Sequence, residues 1–402
     1  MTRREFHLLV AAAAGSHAAA AEDVIFERTG SDIGNLYLFL QKLADESPIE
    51  LSFLRPEFHD LKQWQQQARA KVFEHRFYAP GPTDSNPQLI RRTDRDDHME
   101  EYLTFQTTPD LRAPAYVLIP KGVKLPAPGV VALHDHGAFY LWGKEKLLRL
   151  EGEHSALTKF RQEAYSGVSI AHELVRQGYV VIVIDMFYWG ERRMILDDDP
   201  AEFRHRPQTM SEELIDKFNR RAQQAEELVA RSFFTAGITW PGVMLWDDLR
   251  TVDYLCQRPE VDKQRLACVG LSVGGYRSLL LAALDERIQT AVAVGYMKSD
   301  RYQIKRKVKH STGFTFHLVG LLRYLDLPDL SALIAPRPAL FINGSRDTLF
   351  NQEGLKSAYE KIHECYQKAG VPSRQVCRLY DTTHQFNTEM QAEAWRWLRK
   401  WL

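Results

Sequence analysis

Gly270-Leu271-Ser272-Val273-Gly274 constrains this chain more than any other five residues, because of what flanks it. An apolar run, Leu266-Ala267-Cys268-Val269, leads into the pentapeptide, and a helix-forming stretch from Tyr276 to Leu284 follows. A strand that turns through G-x-S-x-G straight into a helix leaves room only for small residues beside the serine. A Cβ there would meet the neighbouring strand or helix. The serine then sits in a strained conformation with its hydroxyl exposed above the sheet. Small residues also cluster in loops by chance, so the specificity comes from the placement between strand and helix.

A serine hydroxyl is a poor nucleophile at neutral pH. It needs a histidine to take its proton and a carboxylate to orient that histidine. Downstream, Pro338-Ala339-Leu340-Phe341-Ile342-Asn343-Gly344 reads as a buried strand ending in the loop Ser345-Arg346-Asp347. A last strand, Gln375 to Tyr380, ends in Asp381-Thr382-Thr383-His384, ahead of a closing helix from about 388 to 402. Each residue type recurs just after a strand, in the order Ser, Asp, His. The predicted catalytic set is therefore Ser272, Asp347 and His384. Singly, Asp347 also fits a turn and His384 is one of fourteen histidines. The rival acid is Asp300, after the strand Ile288 to Val294.

The tetrahedral intermediate of such chemistry carries an oxyanion that must meet fixed backbone donors. The amide of Val273 is one candidate. The other comes from the loop after an early strand, Gly129-Val130-Val131-Ala132-Leu133-His134-Asp135-His136-Gly137, with His136 the first choice and Gly137 the next. His134 and His136 also alternate as zinc ligands can. No third ligand is evident, and a buried His–Asp hydrogen bond accounts for the pair equally well, so no metal is expected.

Three further stretches carry a family likeness. One runs Trp246-Asp247-Asp248-Leu249-Arg250-Thr251-Val252-Asp253-Tyr254-Leu255, then Arg258-Pro259-Glu260-Val261-Asp262, into the Ser272 turn. The second is Tyr324 to Leu330 followed by Ile334-Ala335-Pro336-Arg337-Pro338, and the third Asp185 through Gly190-Glu191-Arg192-Arg193. Over roughly residues 100 to 402 the chain resembles the dienelactone hydrolase-related α/β-hydrolases, most of all their acetyl xylan esterase-like branch. The resemblance implies an α/β fold with a mostly parallel central sheet flanked by helices. It also implies a serine esterase that needs no cofactor and acts on a small-molecule or carbohydrate ester. Dienelactone hydrolases proper use cysteine, so the serine favours ordinary ester hydrolysis. The family's usual oxyanion loop, His-Gly-His-Gly-Gly, here has Asp135 and Ala138 in place of glycines, which leaves the second donor open. A peptidase or amidase of the same fold, and a non-catalytic carbohydrate-binding relative, remain as rivals.

The organisation predicted is a signal over 1–21, a helical extension over 22–82, and a catalytic domain over 83–402 with an insertion at about 194–243. Thr2-Arg3-Arg4-Glu5-Phe6, a modestly apolar stretch to Ala14 and small residues to Ala21 suit a twin-arginine signal and periplasmic or secreted location. An ordinary amphipathic helix is the alternative. In the extension, Leu36, Leu40 and Leu43 stand at helical spacing. Antiparallel strands near 102–106 and 115–119 and parallel strands at 130–133 and 180–184 should follow. A helix from Ser211 to Arg231 should occupy the insertion, its aromatic end Phe233-Phe234 and Trp240 either capping the site or packing on the sheet. Phe139, Tyr140, Trp189 and Trp240 are candidate substrate contacts, with Trp142 a further surface for a sugar ring.

Fifty-two basic and fifty-two acidic side chains balance. Nothing in that charge favours nucleic acid. No apolar run is long enough for membrane insertion. Cys256, Cys268, Cys365 and Cys377 lie on predicted helices and strands, where buried thiols are the default, although an oxidising compartment would allow disulfides.

Overall fold

The computed structural model describes residues 28–81, 83–304, 308 and 313–402. The predicted signal over 1–21 lies outside the described residues.

Nine strands form one sheet in the order β1-β2-β3-β5-β4-β6-β7-β8-β9. Their ranges are β1 Gln88–Asp94, β2 His98–Gln106, β3 Arg112–Pro120, β4 Ala127–Leu133, β5 Val180–Ile184, β6 Val261–Leu271, β7 Ile288–Val294, β8 Ala339–Gly344 and β9 Gln375–Tyr380. β1 to β3 pair antiparallel, β3 meets β5 antiparallel, and the remainder is parallel. A parallel strand is buried on both faces and needs no alternation, which is why Val180-Val181-Ile182-Val183-Ile184 is apolar and buried throughout. Edge strand β1, with Leu89 and Ile90 exposed, shows no such pattern and was not legible in the sequence.

Nine helices matter here: α1 Tyr37–Asp45, α2 Leu61–His75, α3 Ser155–Tyr165, α4 Ile170–Arg176, α5 Glu212–Thr235, α6 Trp240–Gln257, α7 Val273–Leu284, α8 Gln352–Lys368 and α9 Thr388–Trp401. Successive strand residues face opposite sides. Val131, Cys268 and Phe341 pack towards α2, α6, α7 and α8. Val130, Val269 and Leu340 pack towards α4 and α9. A third cluster, with Trp189, Phe218 and Trp240, joins α5 and α6 to the loops after β4 and β5.

The extension departs from expectation. It is not helical throughout, because 46–60 is irregular between α1 and α2. Nor is the leucine stripe at α1 buried: Leu36, just before the helix, and Leu43 within it are 57% and 52% exposed. The packing comes from α2, whose Trp64, Ala68 and Val72 stand four residues apart and are fully buried. All four cysteines are free thiols. Among the described residues, no single helix is long and apolar enough to cross a membrane.

The register decides where function can sit. Leu133 aligns with Gly270, Leu271 with Val294, and Gly344 with Tyr380. The parallel strands therefore end flush, and the loops after β4, β6, β7, β8 and β9 share one edge.

Candidate active site

Ser272 has φ 60° and ψ −122° and precedes the first turn of α7. A non-glycine residue at positive φ is strained and persists only where its surroundings enforce it. Here its N–H donates to Val294 O at 2.8 Å and its carbonyl accepts from Tyr276 N–H at 2.9 Å. A Cβ on Gly274 would overlap the Leu133 carbonyl, and one on Gly270 would overlap both Leu133 O and the Gly274 backbone. Close approach of β4 and α7 thus requires both glycines. Ser272 lines a cavity of about 710 Å³ together with His384, Asp135, His136 and Gly137.

His384 Nδ1 lies 2.6 Å from Asp347 Oδ2. The other oxygen of Asp347, a buried side chain, accepts from Leu349 N–H at 2.9 Å. A carboxylate on Nδ1 holds the proton there and leaves Nε2 as the basic nitrogen. Among the described residues Ser272 and His384 make no direct hydrogen bond, although both line the same cavity; hydrogen bonds of this kind are often long or poorly aligned until substrate is bound. Asp300 is occupied elsewhere. Its carboxylate pairs with Lys298 at 2.7 Å and its amide donates to Asp326 at 2.8 Å.

The loop after β4 is held from beneath. Lys146, fully buried, donates from Nζ to Asp135 O and His136 O, both at 2.9 Å. Trp189 Nε1 also donates to His136 O, at 3.1 Å. In a trans peptide the N–H points opposite to the C=O. The amides of His136 and Gly137 therefore point away from Lys146, on a loop whose other side is the cavity. Gly137 and Ala138 have φ 58° and 49°. Gly137 is required, because a Cβ would collide with Phe160 and Asp135; Ala138 takes the left-handed conformation without glycine. Val273 N–H, the first of α7, belongs to the helix turn whose donors have no intrahelical acceptor.

The two histidines of this loop are separated in role. His134 Nδ1 donates to Asp135 O at 2.8 Å and its Nε2 accepts from Met186 N–H at 3.0 Å. Burial, then Lys146, pushes its pKa well below the ordinary value. Both nitrogens serve the backbone, and neither has a lone pair to spare for a metal. In place of the expected His–Asp side-chain bond, the partner of His134 is the Asp135 carbonyl. His136 Nδ1 accepts from Ala138 N–H at 3.0 Å, and Nε2 donates to Glu226 Oε1 at 2.7 Å.

The four candidate substrate contacts need correcting. Tyr140, Trp189 and Trp240 are at most 1% exposed and Phe139 stacks on Phe160 at 4.8 Å. None of the four lines the cavity, and Trp142 is buried as well. Phe139, Tyr140, Trp142 and Trp189 follow strand ends, but Phe139 and Trp142 pack on each other and on Phe160 and His154 at α3, and Tyr140 stacks on Trp189, which meets Trp240 of α6. The cavity's aromatic lining is instead Phe160, Tyr296, Phe316 and Phe350. The aromatic end of the insertion does not cap the site either: Phe233 packs on Trp240 at 5.6 Å and Phe234 is 46% exposed.

The insertion reaches the cavity through Gln223 and Glu226, in the middle of α5. Glu226 Oε1 accepts from His136 and, at 2.8 Å, from Tyr140 Oη. Burial and then Glu226 raise the Tyr140 pKa far above its ordinary value, which keeps the donor proton in place. The helix buries Ile215, Phe218, Asn219, Ala222, Glu226 and Val229. A carboxylate on that core-facing stripe is the signal the sequence offered.

The Abhydrolase family model matches residues 27–393. A Bacillus subtilis protein named "Putative hydrolase YtaP" is 27% identical over 315 residues, covering 78% of this chain and 92% of that protein. Among solved structures, a "putative acetyl xylan esterase" from Bacteroides fragilis superposes with TM-score 0.66 at 18% identity, covering 87% of this chain and 84% of that one. A glucuronoyl esterase from Solibacter usitatus gives 0.57 at 13% identity, with 84% and 93% covered. At these identities the structural likeness is one of fold.

Proposed function

The chain belongs to the Abhydrolase family, and from that premise we propose that it is a serine carboxylic ester hydrolase working through Ser272, His384 and Asp347. The observation that carries this reading is the 2.6 Å contact of His384 Nδ1 with Asp347, in the same cavity wall as the strained Ser272. His384 Nε2 takes the hydroxyl proton as Ser272 Oγ attacks the ester carbonyl. It then returns that proton to the departing alcohol. Asp347 holds the imidazole in the required tautomer and stabilises the imidazolium. Water, deprotonated by the same nitrogen, releases the acyl group. Val273 N–H and the amides of His136 or Gly137 supply the donors for the oxyanion.

The proposed substrates are short-chain esters of carbohydrates. The sequence resemblance to acetyl xylan esterases supports this, as do the carbohydrate esterases that share the fold. Export by the twin-arginine route, proposed from Arg3-Arg4 and the residues after them, would place the enzyme where such polymers occur. A fluorophosphonate probe should label Ser272 and abolish turnover. Labelling that persists in Ser272→Ala would remove the nucleophile assignment. For substrate, kcat/KM on acetylated xylo-oligosaccharides should exceed that on aryl octanoates and on peptide amides. The opposite preference would overturn the carbohydrate reading and leave the triad standing. Retention of the Arg3→Lys, Arg4→Lys precursor in the cytoplasm, with the parent exported, is the expected result for transport.

A further inference from the structure

The cluster of His98, Glu100 and His172 has no part in the chemistry above. His98 opens β2 and pairs with Pro120 at the end of β3, and β3 runs antiparallel to β5. The cluster therefore lies at the amino-terminal edge of the parallel strands, opposite the edge that carries Ser272 and His384. His98 and Glu100 are two apart on a strand and share a face, and His172 joins them from α4. Each of the three offers one metal-ligating atom, and these atoms lie within 4.8 Å of one another.

Two of those side chains are buried with an atom left over. His98 is 3% exposed and Glu100 1%, and among the described residues neither His98 Nε2 nor Glu100 Oε2 has a hydrogen-bond partner. Buried polar atoms are normally satisfied, so a pair of orphans side by side asks for a missing ligand. Their other atoms are engaged. His98 Nδ1 meets Asp97 Oδ1 at 2.5 Å, and Glu100 Oε1 lies 3.4 Å from Arg95 and 3.8 Å from Arg91. A carboxylate on Nδ1 turns the Nε2 lone pair outward, which is how metal-binding histidines are oriented.

His172 packs edge-on against His98, with the ring centroids 5.1 Å apart. Its Nδ1 accepts the Arg149 amide at 3.3 Å, a long bond. Coordination through Nε2 would move the ring proton to Nδ1 and release that amide. A cavity of about 700 Å³ beside His98 and His172 gives an entry path and room for water ligands. Arg95, Arg149 and Arg176 face it, and are offset by Asp94, Asp96, Asp97 and Glu173 in the same lining.

We propose that His98, Glu100 and His172 bind one borderline divalent transition-metal ion, which ties β2 to α4. Two imidazoles and one carboxylate suit Zn²⁺, whereas Mg²⁺ and Ca²⁺ prefer all-oxygen sites. The test is calorimetric titration of the chelator-treated full chain with Zn²⁺. One equivalent should bind at micromolar or lower Kd and raise the unfolding midpoint by several degrees, with no shift from Mg²⁺ or Ca²⁺. His172→Gln should abolish that binding, and Asp97→Asn should weaken it about 10- to 100-fold. His98→Gln should abolish it too. If that buried substitution prevents folding, the half-buried His172 keeps the test decisive. Ester hydrolysis should stay within about twofold of the parent in each folded variant, because the cluster lies at the far edge. No stoichiometric binding to the parent protein, or equal affinity in His172→Gln, would overturn the site.

Discussion

The wall of the cavity formed after β6, β7, β8 and β9 and the wall formed by the β4 loop with α5 are built on different principles. On the first wall, Ser272 and His384 sit in loops directly after strand ends, with Asp347 behind His384 in the same way, and the flush register does the rest. On the second, Glu226 reaches His136 across 90 residues of sequence, and Lys146 and Trp189 come from two further segments. A strand end needs only its own neighbours to point a side chain at the edge. A bond between a helix and a distant loop needs the whole third cluster to be packed. The strand-end wall should therefore carry the chemistry, and the packed wall should tune it.

The largest expected effect is on the first wall. Ser272→Ala should lower kcat by at least about three orders of magnitude, and by as much as about 10⁶ if the triad acts as a unit. Steady-state kinetics with an aryl acetate would measure it, and a loss of tenfold or less would mean that the wall has been misread. Asp347→Asn comes next, with a loss of roughly 10⁴ in kcat through the wrong histidine tautomer. Asp300→Asn, whose side chain faces Lys298, should stay near the parent rate. A reversal of these two would move the acid to the loop after β7.

The second wall should respond less. Glu226→Ala releases His136 and Tyr140, and should lower kcat about 10- to 100-fold with little change in KM, the size expected when catalytic donors are slightly misplaced. Glu226→Gln keeps an acceptor oxygen for both donors and should recover most of that rate. An unchanged kcat in the alanine variant would show that Lys146 and Trp189 hold the loop alone. Phe316→Ala removes a ring from the cavity lining and should raise KM about tenfold, equivalent to losing roughly 1–2 kcal/mol of apolar contact. Trp240→Phe, fully buried and away from the lining, should leave kcat/KM within about twofold. It could reveal itself only in the unfolding midpoint. Equal kinetic effects of these last two would erase the distinction between lining and packing.

Much of the first wall was legible without coordinates. The strand-turn-helix around Ser272, the strands ending before Asp347 and His384 and the closing helix all follow from local apolar runs and the breakers between them. Helix α5 was legible too, as a helix from Ser211 to Arg231 with apolar residues a turn or two apart; the structure extends it to Thr235 and adds a cap, the Ser211 side chain accepting from Leu214 N–H at 3.2 Å. What failed was the assignment of aromatic side chains. Phe139, Tyr140, Trp189 and Trp240 are next to strand ends or helix starts, and residue type alone does not say whether a ring meets substrate or another ring. The leucines at α1 failed for the reverse reason: helical spacing predicted a buried face, yet among the described residues Leu36, which precedes the helix, and Leu43 are left more than half exposed.

The sequence by itself determined the parallel α/β scaffold, the chain order of serine, acid and histidine, and the glycines without which β4 and α7 could not approach. Those features depend on backbone sterics and on residues close in sequence, so local pattern suffices. Only the tertiary structure decided that His134 serves the backbone while His136 answers to Glu226. It alone brought His98, Glu100 and His172 together beneath the sheet. Each of these depends on the partner that packing delivers from far along the chain. A histidine takes its proton and its role from the groups it meets, and sequence spacing does not specify them.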